Sequence, residues 1–321
     1  MLLDVRHLSV SFPSRRGTVQ ALRDVSFQLG AGEILGVVGE SGCGKSTLCS
    51  SIVDILPRQA VIQGTLNYKG IDLRRIPSKE VRQLRGREIA TVLQNPMTAL
   101  DPLFTVGNQF DEILNCNLKI APSQRRLMML NLLDSVGIPE PDQRLKCYPH
   151  QLSGGMKQRF LVAMATALKP GILLADEPTT ALDVTIQEQI LHLLIDIRRR
   201  QDTAIILVTH DLGIVRRITD RLLIMYAGSV VETGPTDEVF ARPLHPYTRA
   251  LMDAIPTLDR LPHRLPSING QIPDLSKLPS GCSFAPRCAR ATDACRIGNF
   301  NSMTRVGRSL VRCHLFKEQV A

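Results

Sequence analysis

The feature that most constrains this chain is a nine-residue run, Gly39-Glu40-Ser41-Gly42-Cys43-Gly44-Lys45-Ser46-Thr47. It fills every fixed position of the pattern G-x-x-x-x-G-K-[ST], in which a glycine-rich loop cradles phosphate groups. The apolar residues 34–38 predict a buried strand before it, and Ser46 is expected to open a helix. Glycines let backbone N–H groups curl around phosphate oxygens, and a helix N-terminus adds partial positive charge. Because a strand and a helix flank the run, we interpret it as a phosphate-binding loop rather than a chance match in a turn.

The chain has 321 residues, of which 44% are hydrophobic and none is tryptophan. This length allows one large domain with an appendage, or two domains, around an aliphatic core. No uninterrupted apolar run reaches the roughly 18–20 residues that span a bilayer. The first residues include the early acid Asp4 and lack the apolar region of a signal peptide. We therefore expect a globular protein that begins in the cytosol.

The net charge of +9 comes from basic residues scattered as pairs and one triple, Arg198-Arg199-Arg200. Proteins that bind nucleic acids concentrate such charge on one face and add stacking aromatic residues. Aromatic residues make up only 4% of this chain. We interpret the charge as a solvated surface, with a face near anionic lipid headgroups as the alternative, and predict no nucleic-acid partner.

Residues 1 to about 35 are predicted to be β-structure. Apolar and polar residues alternate at 8–12 and 25–29, and the alternation at 61–68 predicts a strand in the same sheet. A helical segment is expected at 103–168. It carries an apolar stripe at helical spacing, which predicts core or interface positions at Leu127, Leu130, Leu133 and Val136, with Gly137 and Pro139 ending the helix.

Residues 171–232 show an α/β pattern. The apolar runs 172–175, 204–208 and 222–225 predict buried strands, and 186–197 predicts an amphipathic helix. Such runs between helices are typical of a parallel sheet that is covered on both faces. After residue 235 the chain is rich in proline and holds four cysteines, which indicates a small appended domain with little regular structure.

Two acids, Asp176 and Glu177, follow the apolar run 172–175. The carboxyl ends of parallel strands meet at one edge of a sheet, where ligands bind, and the phosphate loop leaves its strand at the same edge. Lys45 and Ser46 are placed to contact the β- and γ-phosphates and Mg2+, and Asp176 to hold Mg2+. Glu177 is placed to orient or deprotonate a water that attacks the γ-phosphate. The alternative is a pair of surface acids at a helix start.

A third motif, Leu152-Ser153-Gly154-Gly155-Met156, precedes a predicted helix at 157–168. A serine and two glycines at a helix start form another anion-binding geometry, although a plain helix cap is the alternative. One nucleotide has a single γ-phosphate. Two such domains that cover each other's nucleotide would therefore explain why one chain carries both motifs.

Taken in order, the loop, Gln94, the 152–155 motif, the acids at 176–177 and His210 resemble the ATP-binding cassette (ABC) ATPases over residues 1–240. The resemblance implies an α/β fold with a parallel-sheet phosphate-loop core, an antiparallel β subdomain and a helical subdomain at about 95–168. It also implies site roles. Phe12 is expected to stack on adenine, residues 39–47 to bind ATP, and Gln94 to sense the γ-phosphate and the metal. Ser153, Gly154 and Gly155 are expected to contact the partner's nucleotide. Ala181, Leu182 and Asp183 are expected to cross the dimer interface, and His210 to contact the γ-phosphate.

A narrower resemblance, to the dipeptide/oligopeptide-type ABC importer ATPases, covers nearly the whole chain. It is carried by residues 94–102 and 176–185, by His245-Pro246-Tyr247-Thr248 and by the tail 281–288. It implies a peripheral subunit on the cytoplasmic face of the inner membrane, with two permeases, a paralogous second ATPase and an external solute-binding protein as partners. Nickel or another small solute is an alternative cargo. A soluble ABC protein outside transport, or a module that binds ATP without hydrolysis, is an alternative class.

Cys282, Cys288, Cys295 and Cys313 crowd the extension at 241–321. Their spacing is not the C-x2-C of structural zinc sites, but four thiolates on a weakly cored tail suggest a shared ligand. The family resemblance implies a four-iron iron–sulfur cluster, for which four thiolates are suited. Zinc, supported by His314 beside Cys313, and no metal at all are the alternatives.

Overall fold

The computed structural model describes residues 1–14, 17–93, 95–180, 182–254, 268–297 and 302–319. Within these residues the strands are β1 (Leu3–Ser14), β2 (Gly17–Leu29), β3 (Ile34–Val38), β4 (Val61–Tyr68), β5 (Ile71–Asp72), β6 (Ile89–Val92), β7 (Ile172–Asp176), β8 (Ala204–Val208), β9 (Arg221–Tyr226), β10 (Ser229–Pro235), β11 (Thr304–Val306) and β12 (Ser309–Val311). Gln94 and Ala181, both singled out by the sequence, lie outside the described residues.

The α-helices in the same ranges are α1 (Lys45–Ile52), α2 (Ser78–Leu84), α3 (Pro96–Ala99), α4 (Val106–Asn117), α5 (Pro122–Ser135), α6 (Pro141–Arg144), α7 (Gly154–Thr166), α8 (Val184–Gln201), α9 (Leu212–Ile218), α10 (Thr236–Ala241), α11 (Pro246–Asp253) and α12 (Asp293–Arg296). Short 3-10 helices span Pro149–Gln151, Ala285–Arg287 and His314–Gln319. In the part of the chain that the structure describes, no helix is both long and apolar enough to cross a bilayer.

The chain divides into two compact units. The first unit comprises residues 1–30, 34–76 and 208–321, and the second comprises 31–33 and 77–207. The domain boundary at residue 240 and the helical subdomain at about 95–168 stay predictions.

The first unit contains an antiparallel sheet in the order β2-β1-β4-β5. This confirms the strands predicted at 8–12 and 25–29 and the prediction that 61–68 joins the same sheet, where it pairs with β1. A second set of strands runs in the order β11-β12-β10-β9-β3, in which β3 lies parallel to β9. The other neighbours in this set are antiparallel, and β9 turns into β10 through Ala227 and Gly228, whose φ angles are 45° and 80°.

The hydrophobic core of the first unit draws on residues far apart in the sequence. Val38, Leu222 and Ile224 come from the strands β3 and β9. Tyr247 and Phe284, which lie beyond residue 240, belong to the same cluster of buried side chains. Tyr247 and Phe284 therefore belong to the same core as β3, the strand that leads into the phosphate loop.

The second unit contains the strand order β8-β7-β6, with β6 parallel to β7. All five residues of β7 and of β8 are buried, which explains why the sequence is continuously apolar at 172–175 and 204–208. The helices α4, α5 and α7 share a separate core around Phe110, Leu133 and Phe160.

The predicted apolar stripe of α5 is only partly buried. Leu127, which was expected at a core or interface position, is 59% exposed and does not belong to the core. The buried positions of α5 are Arg125, Met129 and Leu133, four residues apart. Because the Arg125 guanidinium pairs with the Asp111 carboxylate of α4 at 2.6 and 3.1 Å, α5 turns this face toward α4 and leaves Leu127 outside.

Candidate nucleotide-binding site

The phosphate loop connects β3 to α1, as the sequence predicts. Gly44 is the N-cap of α1 and has a φ of 106°, a backbone conformation that residues with a Cβ atom rarely adopt. A Cβ atom on Gly44 would lie 2.5 Å from the carbonyl oxygen of Ala21, and one on Gly39 would clash with the carbonyl oxygen of Met225. The fixed glycines of the motif are therefore required both by backbone conformation and by space.

Lys45 lies inside this loop. Its side-chain Nζ donates hydrogen bonds to the carbonyl oxygens of Gly39 at 2.7 Å and Glu40 at 3.1 Å, and the residue is 7% exposed. Ser46, in the first turn of α1, is exposed. The loop thus brings an ammonium group, a hydroxyl group and the positive end of a helix to one place, which suits a polyphosphate.

Two further predicted residues lie in the first unit. His210 is exposed and directly precedes Asp211, the N-cap of α9. The preceding residue, Thr209, donates its backbone N–H to the carbonyl oxygen of Val37 at 3.3 Å, which ties this segment to the strand that carries the loop. Phe12 lies on β1 opposite Val19 and is partly buried.

The acid pair stands at the end of β7 in the second unit. Asp176 is the last residue of the strand and is 8% exposed. Glu177 has a φ of 47°, a left-handed conformation that costs a residue with a side chain some strain. The Thr180 hydroxyl donates a hydrogen bond to Oε2 of Glu177 at 2.9 Å and so fixes the direction of its carboxylate. Sequence reasoning missed Thr180.

The third motif begins α7 in the second unit. Ser153 is the N-cap, and its hydroxyl accepts a hydrogen bond from the Met156 N–H at 3.3 Å. Asp183 caps α8 in the same way, by accepting from the Ile186 N–H at 2.9 Å. A Cβ atom on Gly155 would lie 2.7 Å from Cγ2 of Ile186, so the two helix starts pack closely against each other.

The four C-terminal cysteines line one small cavity together with His245, Phe284, Arg312 and His314. The cavity measures only about 10 Å³, room for about one water molecule. Burial, and then the neighbouring thiols, raise the pKa of Cys313 to about 11. Within the described ranges no three Cys, His, Asp or Glu side chains are grouped so as to hold a metal ion. The expectation of an iron–sulfur cluster is therefore not supported by this arrangement.

A strand–loop–helix phosphate site and an acid pair behind a buried parallel strand are the features of a P-loop nucleoside triphosphatase. Comparison with known proteins narrows the class. The family described as ABC transporter matches residues 22–180, and the family described as oligopeptide/dipeptide transporter, C-terminal region, matches residues 231–295.

Curated relatives match most of the chain. The dipeptide transport ATP-binding protein DppD of Bacillus subtilis (strain 168) is 49% identical over 92% of this chain and 88% of its own length. The oligopeptide transport ATP-binding protein OppD of Haemophilus influenzae is 43% identical over 92% of each chain. This chain therefore belongs to the ATP-binding proteins of ABC transporters, in the group with the oligopeptide/dipeptide C-terminal region.

Solved structures agree with the fold. The ATP-binding cassette MJ0796, in a dimeric post-hydrolysis state with ADP and Pi, is 27% identical and matches 73% of this chain and 99% of its own with a TM-score of 0.66. The cassette cbiO1 from Clostridium perfringens, part of the ABC transporter complex cbiONQ, has a TM-score of 0.62 over 75% of this chain and 91% of its own. The predicted ABC nucleotide-binding fold and the assignment as an ABC-type ATPase are confirmed.

Proposed function

We propose that this chain is the ATP-hydrolysing subunit of a bacterial ABC importer and energises the uptake of dipeptides and oligopeptides. The observation that carries the proposal is the similarity to peptide-import ATP-binding proteins across 92% of the chain, including the C-terminal region. Two permeases, a paralogous ATPase and an external solute-binding protein complete the machine in this proposal. The chain itself acts as a peripheral subunit at the cytoplasmic face of the inner membrane.

In the proposed cycle, residues 39–47 hold the phosphates of ATP, and Phe12 stacks on the adenine. The donors Ser46, Gln94 and Asp176 are oxygen ligands of the kind that Mg2+ prefers, and Mg2+ would neutralise charge on the phosphates when bound. Glu177, aimed by Thr180, orients the attacking water. His210 contacts the γ-phosphate and helps to hold the closed state. Each of these roles follows from the family resemblance and from the residue chemistry.

The proposed closed state pairs two ATPase domains, so that Ser153, Gly154 and Gly155 of one cover the nucleotide of the other. Asp183 lies at the same interface. Gly154 suits this role because there is room beside it: among the described residues, a Cβ atom there would meet Cδ2 of Leu182 at 3.6 Å and no other atom within 4 Å. Close approach of backbone to a phosphate is what a glycine permits.

Two alanine substitutions separate the interface role of this motif from its packing. Gly154→Ala is expected to leave the melting temperature unchanged and to lower ATP turnover by about tenfold, because a methyl group there displaces the partner's nucleotide slightly. Gly155→Ala is expected to destabilise the fold by about 1–3 kcal/mol, since its methyl group overlaps Ile186. Thermal melts and ATPase rates measured side by side test this. Equal melting temperatures and equal rates for both variants would contradict it.

Four exposed apolar side chains in or near residues 94–102 suit a contact with a permease. Leu93, Met97, Leu103 and Phe104, in or near the 94–102 segment, are between 48% and 78% exposed. Exposed apolar groups that cluster in sequence mark a surface for another protein. We propose that this segment receives a helix of the permease.

The solute is tested by uptake in a strain that lacks this protein. Loss of labelled dipeptide uptake, restored by the intact chain, would support peptide import. Loss of nickel uptake with normal peptide uptake would favour the alternative cargo. Normal uptake of both solutes, together with co-purification with ribosomes or nucleic acid, would favour the non-transport class.

For the C-terminal cysteines we propose a four-iron iron–sulfur cluster. It rests on the family resemblance and on the suitability of four thiolates as ligands of such a cluster; the four thiols, Cys282, Cys288, Cys295 and Cys313, all line one cavity. Burial raises the pKa of Cys282 and Cys288, so metal binding must remove protons and rearrange the thiols. Protein purified without oxygen is expected to be brown, with about four iron atoms per chain. Colourless protein that contains no iron would remove the cluster, and zinc in its place would select the alternative.

A further inference from the structure

Glu40 places a carboxylate inside the phosphate loop, directly after Gly39. The loop pattern does not require an acid at this position, because its fixed residues are the two glycines, the lysine and the hydroxyl residue. A negative charge close to bound phosphates repels them. A partner that neutralises Glu40 would therefore strengthen nucleotide binding.

Arg287 is that partner, 247 residues further along the chain. Its Nη1 donates to Oε2 of Glu40 at 2.7 Å, and its Nη2 donates to Oε1 at 3.0 Å. The Arg287 side chain is 5% exposed and that of Glu40 is 24% exposed. A two-point pair between guanidinium and carboxylate is the strongest form of side-chain ion pair, and water screens a buried pair only weakly.

The guanidinium of Arg287 is held in place by other contacts of the C-terminal extension. Its Nε donates to the carbonyl oxygen of Asn269 at 2.8 Å, and Nη2 also donates to that of Ile268 at 3.2 Å. The rings of Tyr226 and Phe284 lie 5.8 and 6.0 Å from it. The positive charge is therefore presented to the loop in a fixed position.

Tyr247 makes a second contact with the same loop residue. Its hydroxyl oxygen accepts a hydrogen bond from the backbone N–H of Glu40 at 3.0 Å, and its ring is fully buried. The ring packs on Tyr226 and Phe284 with centroids 4.7 and 5.4 Å away. The extension thus contacts both the side chain and the backbone of Glu40.

The start of α11 is built to hold Tyr247 at this place. The N–H of Tyr247 donates to Nδ1 of His245 at 3.0 Å, and the N–H groups of Leu244 and His245 donate to the Glu232 carboxylate at 2.9 and 2.8 Å. Burial lowers the pKa of His245 to about 3, so its ring stays neutral and Nδ1 remains an acceptor. These contacts hold Tyr247 where its hydroxyl group meets the backbone of Glu40.

We propose that Arg287 and Tyr247 are positioning residues of the nucleotide site, through which the C-terminal extension neutralises Glu40 and fixes the loop for ATP. The inference rests on ATP binding at residues 39–47. It assigns a physical role to two sequence motifs, at 245–248 and 281–288, that lie outside the ATPase motifs. Both act through Glu40 rather than on the nucleotide itself.

The test is a set of ATP dissociation constants measured on the full chain with Mg2+. Arg287→Met keeps the apolar stem and is expected to weaken ATP binding roughly tenfold, because it leaves the Glu40 charge uncompensated. Adding Glu40→Gln to this variant is expected to restore the affinity to within about threefold of the parent, since the two residues are coupled. Arg287→Lys keeps the positive charge. It is expected to bind ATP within about threefold of the parental affinity, as the double variant does. Tyr247→Phe is expected to weaken binding by about threefold, the worth of one hydrogen bond.

Arg308→Met is the matched control. Arg308 lies in the same extension and pairs with Asp237 and Glu238, but it is 67% exposed; this variant is expected to bind ATP as the parent does. An Arg287→Met protein that binds ATP with parental affinity would overturn this inference and leave the nucleotide site untouched. A weakened Arg287→Met that Glu40→Gln fails to rescue would also overturn it, because Arg287 would then act only by packing. A folded parent that binds no ATP would overturn the nucleotide site and this inference together.

Discussion

Replacing Glu177 with glutamine is expected to leave ATP binding intact and to lower ATP turnover by about 100-fold or more. Glutamine has the size of glutamate, and its amide oxygen can still accept the hydrogen bond from the Thr180 hydroxyl. The left-handed backbone at residue 177 is therefore not disturbed further. The lost group is the carboxylate that we propose to orient or deprotonate the attacking water. Steady-state ATPase rates, paired with an ATP dissociation constant for each protein, measure both sides of this expectation.

The matched control is Glu80→Gln, the same chemical change at an exposed position in the first turn of α2. It should hydrolyse ATP at the parental rate. A Glu177→Gln protein that also hydrolyses ATP at that rate would show that the base is another residue. If Glu177→Gln lost ATP binding as well, Glu177 would be needed for the loop or the metal rather than for the water alone.

The features that could be predicted from the sequence are those that depend on neighbouring residues. A strand buried on both faces is continuously apolar, and β3, β7 and β8 are confirmed for that reason. The phosphate loop was equally predictable, because Gly39 and Gly44 are required by the local backbone and by space. In each case the signal lies within a few residues of the structure that it predicts.

Pairing between distant segments could not be predicted in this way. The runs 172–175, 204–208 and 222–225 predicted a parallel sheet, and β9 does lie parallel to β3. The strand β10, which forms an antiparallel hairpin with β9, was not predicted. β10 in turn pairs with β12, which places Glu232 opposite Val311. Periodicity shows which face of a strand is buried, but it carries no information about which strand lies beside it.

The candidate site residues divide in the same way, into those that a local motif predicts and those that depend on a distant contact. Lys45, Asp176 and Glu177 could be named as candidate site residues because each belongs to a local motif. Tyr247 and Arg287 were not found as contacts of the loop, although the resemblance had marked the motifs that contain them. Their partner Glu40 lies more than 200 residues away, and neither residue carries a local sign of the bond that it makes.

Replacing Lys45 with alanine is expected to impair both ATP binding and turnover, unlike Glu177→Gln. The Lys45 ammonium is held by the carbonyl oxygens of Gly39 and Glu40, so the substitution removes the positive charge meant for the phosphates and two bonds that shape the loop. We expect ATP affinity to fall by at least about 100-fold, since a phosphate charge then goes unpaired in a partly buried site. Equilibrium binding of ATP and ADP, with thermal melts as a check of folding, measures this effect.

The two substitutions together distinguish a binding group from a reacting group. Lys79 is an exposed lysine in α2, and Lys79→Ala is the control for Lys45→Ala. It should change neither ATP affinity nor ATP turnover. ADP is expected to lose less affinity than ATP in Lys45→Ala, because Lys45 is placed to reach the γ-phosphate that ADP lacks. Equal losses for the two nucleotides would place the ammonium at the β-phosphate only. Unchanged ATP affinity in a folded Lys45→Ala protein would show that the loop at 39–47 does not hold the triphosphate.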